Sequence, residues 1–291
     1  MRSDIAASDK LAGSLEQGKY FDYETPYGYG GPLCVTTISV ASQQKFMEEM
    51  QAYTKAQGIV SQFVRFHPLL GNHEAAPEIF ETRYMHDVIY IDTASPELIV
   101  KNMDNKNRNM VRKAIKNGVT IERKPIGDYK EFLSMYEETM RKDNADEYYT
   151  FHEDYFQAQQ SLAEHASIFY ALKDGQPIAG AIMYYNDKFI HYHLAGTHTE
   201  FRKYSPSNLL LYEVACWASE KGIQKFHLGG GMTQDDNLFG FKKQFNKNGR
   251  LPFVIGRTVF DKEAYQYLLN LRKQIQPDFN TENGRMIQYR A

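Results

Sequence analysis

Hydrophobic positions along this chain follow two periods. Stretches such as IVSQFVRF (59–66), RYMHDVIYIDT (83–93), VTIERKP (119–125), SIFYALKDGQ (167–176), PIAGAIMYYN (177–186), KFIHYHLAG (188–196) and LPFVIGRTVF (251–260) are short and rich in β-branched and aromatic residues. They predict strands. LCVTTISV (33–40) reads the same way. Between them the apolar positions recur at helical spacing. QKFMEEMQAYTKAQG (44–58) is an amphipathic helix stopped by Gly58. Ser95-Pro96-Glu97 opens another, with the serine as N-cap and the proline at the first helical position, and a break falls near Asp104. In SNLLLYEVACWASEKG (207–222), Leu210, Leu211, Val214, Trp217 and Ala218 share one face. DYKEFLSMYEETMRKDN (128–144), HEDYFQAQQSLAEH (152–165), NLFGFKKQF (237–245) and KEAYQYLLNLRKQI (262–275) complete the helices.

In order, the second half reads strand, two helices, three strands, helix, strand, helix, strand. The first half gives a shorter version of the same alternation. An α/β fold with mixed sheets is the economical expectation, arranged as two lobes with a groove between them. The polar segment 1–18 is expected to be a flexible lead-in, followed by lobes at 19–118 and 119–291, the second carrying the C-terminal helix.

Composition narrows the function classes. The 34 basic and 36 acidic residues leave a formal net charge of −2, so no global field favours DNA or a membrane surface. Any basic site must be local. The two cysteines, Cys34 and Cys216, lack metal-ligand spacing, so neither a zinc site nor a disulfide framework is expected. The N-terminal stretch lacks the apolar core of a signal peptide, and no run approaches the roughly 18 apolar residues of a membrane span. A soluble, cytoplasmic protein is the expectation.

The chemistry concentrates in HLGGGMTQDDNLFGFKKQF (227–245). Gly229-Gly230-Gly231 fits neither the dinucleotide fingerprint nor a P-loop. A glycine corner after a strand lets backbone N–H groups approach a carbonyl closely. Asp235 and Asp236 precede a helix, where a carboxylate caps free N–H groups. By residue type alone, Asp236, His193 and His227 are each candidate general bases.

The second-half element order resembles the GNAT acyltransferase fold. PYGYGGP (26–32), RFHPLLGN (65–72), RNMVRKAIKNGV (108–119) and the glycine turn followed by an FK-containing helix narrow this to a resemblance to the Fem family. That family comprises peptidoglycan bridge-forming aminoacyltransferases and GNAT-type relatives acting in cell-envelope biogenesis. The resemblance covers about residues 20–260. It implies two GNAT-like lobes and transfer of an acyl or aminoacyl group to an amine of a nucleotide- or lipid-linked precursor. It implies no tightly bound cofactor; acyl-CoA or aminoacyl-tRNA would be the co-substrate, the tRNA engaged at its acceptor end. The donor loop falls on RKYSPSNLLL (202–211), where Arg202 matches the GNAT pattern and Ser205 and Ser207 stand at the small-residue positions, with Ser207 the expected N-cap. Arg202, Ser205, Ser207, Asn208, Gly229 and Gly230 are the implied donor-binding residues. The family match at Phe241-Lys242 makes Lys242 the implied catalytic residue, steadying an oxyanion or the leaving oxygen, with Asp236 beside it. For the acceptor, the first lobe offers Tyr27, Tyr29 and Arg65, and the helical stripe Arg108, Arg112 and Lys116 offers cations at i, i+4, i+8. The different class of reading is a catalytically inactive GNAT-like protein that binds a nucleotide sugar or polysaccharide intermediate.

Overall fold

The computed structural model describes residues 1–11, 13–142, 151–233 and 235–291. The chain forms two compact units, one of residues 1–86 and 252–291, the other of residues 87–251.

The first unit begins with β1 (Arg2–Asp4), which pairs antiparallel with β2 (Phe21–Glu24). β3 (Ile59–Arg65) lies parallel to β2. The chain returns late through β10 (Arg250–Val259), antiparallel to β3, with β4 (Glu81–Asp92) as the next strand. Helices α1 (Val40–Ala56) and α8 (Lys262–Ile275) belong to this unit. Its core joins Ile5, Leu11 and Val60 to Leu268, Leu269, Ile287 and Tyr289.

Three expectations are corrected here. The segment 1–18 is not a loose lead-in: Ile5 and Leu11 are fully buried, because isolated apolar residues in a polar stretch suffice to anchor it. LCVTTISV is not a strand. Leu33 and Val35 are exposed and Ser39 caps α1, which starts at Val40; the β-branched run finds no partner strand, so its propensity is not realised. The division does not fall at 118/119. The helices α2 (Pro96–Asn102) and α3 (Asn105–Lys116) lie in the second unit, and the C-terminal helix lies in the first. Apolar faces decide both cases: Val111 and Ala114 share a core with Leu210 and Val214, while Leu268 packs with Ile5.

In the second unit the strand order is β4, β9 (Lys225–Gly229), β8 (Phe189–Thr197), β7 (Gln176–Tyr185), β6 (Ala166–Lys173) and β5 (Val119–Pro125). All neighbours are antiparallel except β8 and β9. Both faces are covered. Phe169 and Ala171 pack toward α6 (Pro206–Glu220), and Ile168 and Tyr170 toward α4 (Lys130–Lys142). That two-sided burial explains why these strands read as continuous apolar runs rather than as alternation. Residues 143 and 144 of the helix expected over 128–144 lie outside the described residues. The next helix is α5 (Glu153–Ala158), continued by a 3-10 turn, and α7 (Asn237–Lys243) follows β9. Among the described residues no helix is long and apolar enough to cross a membrane.

Candidate functional site

The parallel pairing of β8 with β9 runs from Phe189↔Lys225 to His191↔His227 and ends there. β8 continues to Thr197, while β9 turns away at Gly229. On the other edge, the register with β7 passes from Ile182↔Leu194 to Met183↔Tyr192, so His193 is the extra residue of a bulge. Two strands that separate beside a bulge leave the C-terminal half of β8 facing a cavity. That cavity has a volume of about 600 Å³ and is lined by Tyr192, Ala195, Gly196 and Thr197 of β8, with Thr139, Lys142, Asn237, Leu238 and Phe241 from α4 and α7. Arg202, Ser205, Pro206, Ser207 and Asn208 close it at the start of α6.

Gly196 makes this arrangement possible. A Cβ there would lie 2.5 Å from the backbone of Met135 and Tyr136, so only glycine lets α4 come this close. The approach brings the Thr139 hydroxyl to accept from the Thr197 N–H at 3.1 Å. One residue earlier, Glu138 accepts from the Thr199 N–H at 2.8 Å and meets His198 Nδ1 at 2.6 Å. These contacts, the histidine hydrogen bond first, hold its carboxyl down at about 2.

The start of α6 (Pro206–Glu220) has its own geometry. Ser205 has φ +58°, the left-handed conformation a glycine would adopt, and no side chain caps the helix. The expected cap, Ser207, instead bonds Thr197 through its hydroxyl at 3.1 Å. Proline at position 206 carries no N–H, and the Asn208 and Leu209 N–H groups turn back to the Ser205 carbonyl at 3.2 and 3.5 Å. Asn208 is held by its side chain, which donates to Asn107 Oδ1 at 2.7 Å.

The glycine corner is built around Lys242 and Asp236. Lys242 is only 8% exposed and donates from Nζ to the Gly230 carbonyl at 2.7 Å. The same ammonium lies 5.7 Å from the centroid of Tyr192, whose ring lines the cavity. Lys242 therefore sits directly behind the cavity wall, and Gly229 and Gly230 form its socket rather than the wall itself. Burial pulls its pKa down to about 8, against the opposing pull of the Asp236 charge. The Asp236 carboxylate accepts from three backbone N–H groups, of Phe239 at 2.8 Å, Met232 at 2.6 Å and Thr233 at 3.0 Å. Its desolvation is outweighed by those bonds, and its pKa is lowered. A Cβ on Gly231 would sit 2.0 Å from Asp236 Oδ1, which accounts for the third glycine.

The histidines lie elsewhere. Burial holds His193 down at about 3, so it is neutral near neutral pH, with Nε2 2.6 Å from the Tyr155 hydroxyl. His227 is fully buried and stacks on His191, their Nδ1 atoms 2.9 Å apart.

Residues 102–243 match the family described as Acetyltransferase (GNAT) domain. The crystal structure of FemX superposes with a TM-score of 0.67 at 14% identity, over 92% of this chain and 89% of that one. Residues 102–243 thus resemble a GNAT domain, and the chain has a Fem-like fold. The C-terminal domain of a putative lysylphosphatidylglycerol synthetase from Agrobacterium fabrum also superposes on it, with a TM-score of 0.56 at 16% identity over 86% of this chain and 80% of that one. L-PGS from Bacillus licheniformis does so with a TM-score of 0.52 at 12% identity, over 89% and 83%. No curated protein sequence matches the chain.

In that GNAT-like segment, Arg202, Ser205, Ser207 and Asn208 meet in one cavity, while Arg108 and Arg112 lie outside that lining. Arg108 donates to the Val100 carbonyl at 3.0 Å and to Asn105, and Arg112 is exposed. Tyr27, Tyr29 and Arg65 belong to the first unit. There Tyr29 packs edge-on against His67 and Phe253, burial raising its pKa, and Arg65 lies over the Phe63 ring at 4.9 Å. The motifs PYGYGGP and RFHPLLGN interlock: Asn72 donates to the carbonyls of Gly30 and Pro32, and Gly31 has room for no Cβ against Asn72 and Phe66. Sequence reasoning missed Tyr192, Thr197, Thr139 and Phe241. The one legible signal was the glycine ending KFIHYHLAG; the bulge that turns Tyr192 to the cavity has no signature in a single sequence.

Proposed function

We propose that the chain is an N-acyltransferase that moves an aminoacyl group from an aminoacyl-tRNA 3′ end to an amine of a cell-envelope precursor. One observation carries the reading: an uncapped helix start, flanked by Arg202, opens on a cavity that ends at Tyr192, with the Lys242 ammonium directly behind that ring. The uncapped start offers a phosphate site, because helix N-terminal N–H groups and the dipole favour an anion. Ser207 supplies an N–H there, Pro206 supplies none, and the next two bond internally. That suits the single phosphate of a terminal nucleotide better than the pyrophosphate of CoA. The name of one structural neighbour, the C-terminal domain of a putative lysylphosphatidylglycerol synthetase, also favours an aminoacyl donor.

In the reaction the neutral amine attacks the ester carbonyl, a C–N bond forms as the acyl C–O bond to the ribose oxygen breaks, and the proton lost by the amine nitrogen ends on the departing ribose oxygen. The buried Lys242 ammonium carries three donors, of which Gly230 uses one. The Tyr192 ring lies between it and the cavity, so its charge acts on negative charge building on the carbonyl or leaving oxygen through the field across that ring and not by direct contact. Asp236 is a positioning residue that fixes the corner around it.

Acyl-CoA is the second reading, favoured by the acetyltransferase family match. Purified protein is incubated with labelled aminoacyl-tRNAs or with labelled acetyl-CoA, each against UDP-linked amino sugars and amino-peptide precursors. Label transferred from tRNA alone supports the proposal; transfer from acetyl-CoA alone selects the second reading. No transfer from either donor, together with saturable binding of the acceptors, selects the inactive binding protein. Lys242→Ala is expected to lower turnover by about tenfold, less than the loss of a donor in contact with the oxyanion. Unchanged turnover would remove Lys242 from the mechanism.

A further inference from the structure

The first unit holds a second cavity, of about 430 Å³. Its floor is the sheet face that carries Phe63 and Arg65 of β3, Ile255 of β10, and Arg83 and Met85 of β4. Its far wall is the C-terminal segment 284–290, which crosses that face and contributes Arg285 and Arg290. β2 contributes Asp22 and Glu24.

The charges in this cavity do not cancel locally. Asp22 is consumed by Arg290, which grips both its oxygens at 2.8 and 2.9 Å, and by the Tyr289 hydroxyl at 3.1 Å. Arg83 reaches the Gly284 carbonyl, and Arg65 rests on the Phe63 ring. Among the described residues no carboxylate lies within ion-pair distance of Arg65, Arg83 or Arg285. Glu24 is the one acid left opposite three guanidinium groups. A guanidinium fork matches an oxyanion bidentately, and several converging on one cavity place its positive potential where a ligand would sit. Beside them Phe63, Met85, Ile255, Met286 and Ile287 provide an apolar surface. The volume falls in the range of small-molecule sites.

We propose that this pocket binds a small organic phosphate, its phosphoryl group held by Arg65, Arg83 and Arg285 and its planar or apolar body lying on Phe63 and Met85. A nucleotide and an aryl phosphate share that chemistry. Arg65 is also one of the residues offered for the acceptor, but the test reads binding directly, so it stands or falls whether or not the chain transfers an acyl group. The C-terminal segment is part of the site, so the ligand would also fasten the chain end to the sheet.

Binding of phenyl phosphate, uridine monophosphate and inorganic phosphate to the full chain is measured by titration calorimetry. The two organic phosphates are expected to bind at least tenfold more tightly than inorganic phosphate. Whichever of them binds more tightly identifies the body that the apolar surface accepts. Arg65→Gln, Arg83→Gln and Arg285→Gln are each expected to weaken that binding by about tenfold, the scale of a lost charge-assisted hydrogen bond. Arg285 is exposed, so its variant leaves folding untouched and keeps the test interpretable. Arg202→Gln, in the second unit, is expected to leave this affinity unchanged. The proposal is overturned by no binding at millimolar ligand, by equal affinity for inorganic phosphate, or by a loss seen with Arg202→Gln and not with Arg285→Gln.

Discussion

At the scale of single residues, Lys242 is a buried ammonium held beside the candidate cavity. A lysine with a pKa held at about 8 is protonated at pH 7 but sits in an environment that disfavours its charge. The sign of its effect on stability follows from proton counting. Between about pH 8 and the ordinary value of 10.5, the unfolded lysine keeps its proton and the folded one has lost it. Stability therefore rises with pH across that window, by roughly 3 kcal/mol if the whole shift is realised. Lys242→Met is expected to lack that rise. Denaturant titrations of both proteins at pH 7 and pH 10 measure it, and parallel curves would show that burial does not perturb the ammonium. The resemblance at Phe241-Lys242 is what singles the position out in the sequence. Its burial behind Tyr192 was not legible there, since lysines are usually solvated and nothing in a one-dimensional pattern records a carbonyl aimed at Nζ. Asp236 is the converse: its place before a helix announced a cap, and a cap is what the three N–H bonds make it.

Elements were legible where burial is regular and illegible where it is not. α6 carries Leu210, Leu211, Val214 and Ala218 on a buried stripe, and its pattern is unambiguous. Residues 33–39 have the composition of a strand without a partner, and composition cannot supply a partner. The cavity depends on a relation between two elements, the close seating of α4 on β8, and Glu138 clamps it from the side of the following loop. A carboxyl depressed to about 2 contributes stability that is complete above its ordinary value of 4.5 and is lost as the pH falls toward 2. Glu138→Gln is thus expected to destabilise the protein at pH 7 and to flatten its loss of stability between pH 4.5 and 2. Thermal melts of the two proteins across that range read the difference. If both lose stability in parallel on acidification, the His198–Glu138–Thr199 clamp contributes nothing to this junction.

At the largest scale, the segments 1–11 and 284–291 are what a linear reading misjudges most. Residues 1–11 and 284–291 lack a long amphipathic period, yet Ile5, Leu11, Ile287 and Tyr289 fill the core of the first unit. The tie between the ends is the buried Asp22, gripped by Arg290 and Tyr289, with Tyr289 also bonded to Ser61 at 2.8 Å. Burying a carboxylate is costly, and the guanidinium offsets that cost only while it stays in place. Arg290→Met is expected to cost about 3–5 kcal/mol, because it strands a charge beside a tyrosine that has no reason to ionise there. Adding Asp22→Asn in the same chain removes the stranded charge and is expected to recover much of that loss. A double-mutant cycle by urea unfolding separates the two contributions. Strong positive coupling means that the pair is retained for placing the C-terminal segment over the sheet, since an apolar substitute of equal volume stabilises as well without fixing where that segment lies. Additive losses would mean instead that Ile287 and Tyr289 seat the segment through packing, and that the ion pair only follows.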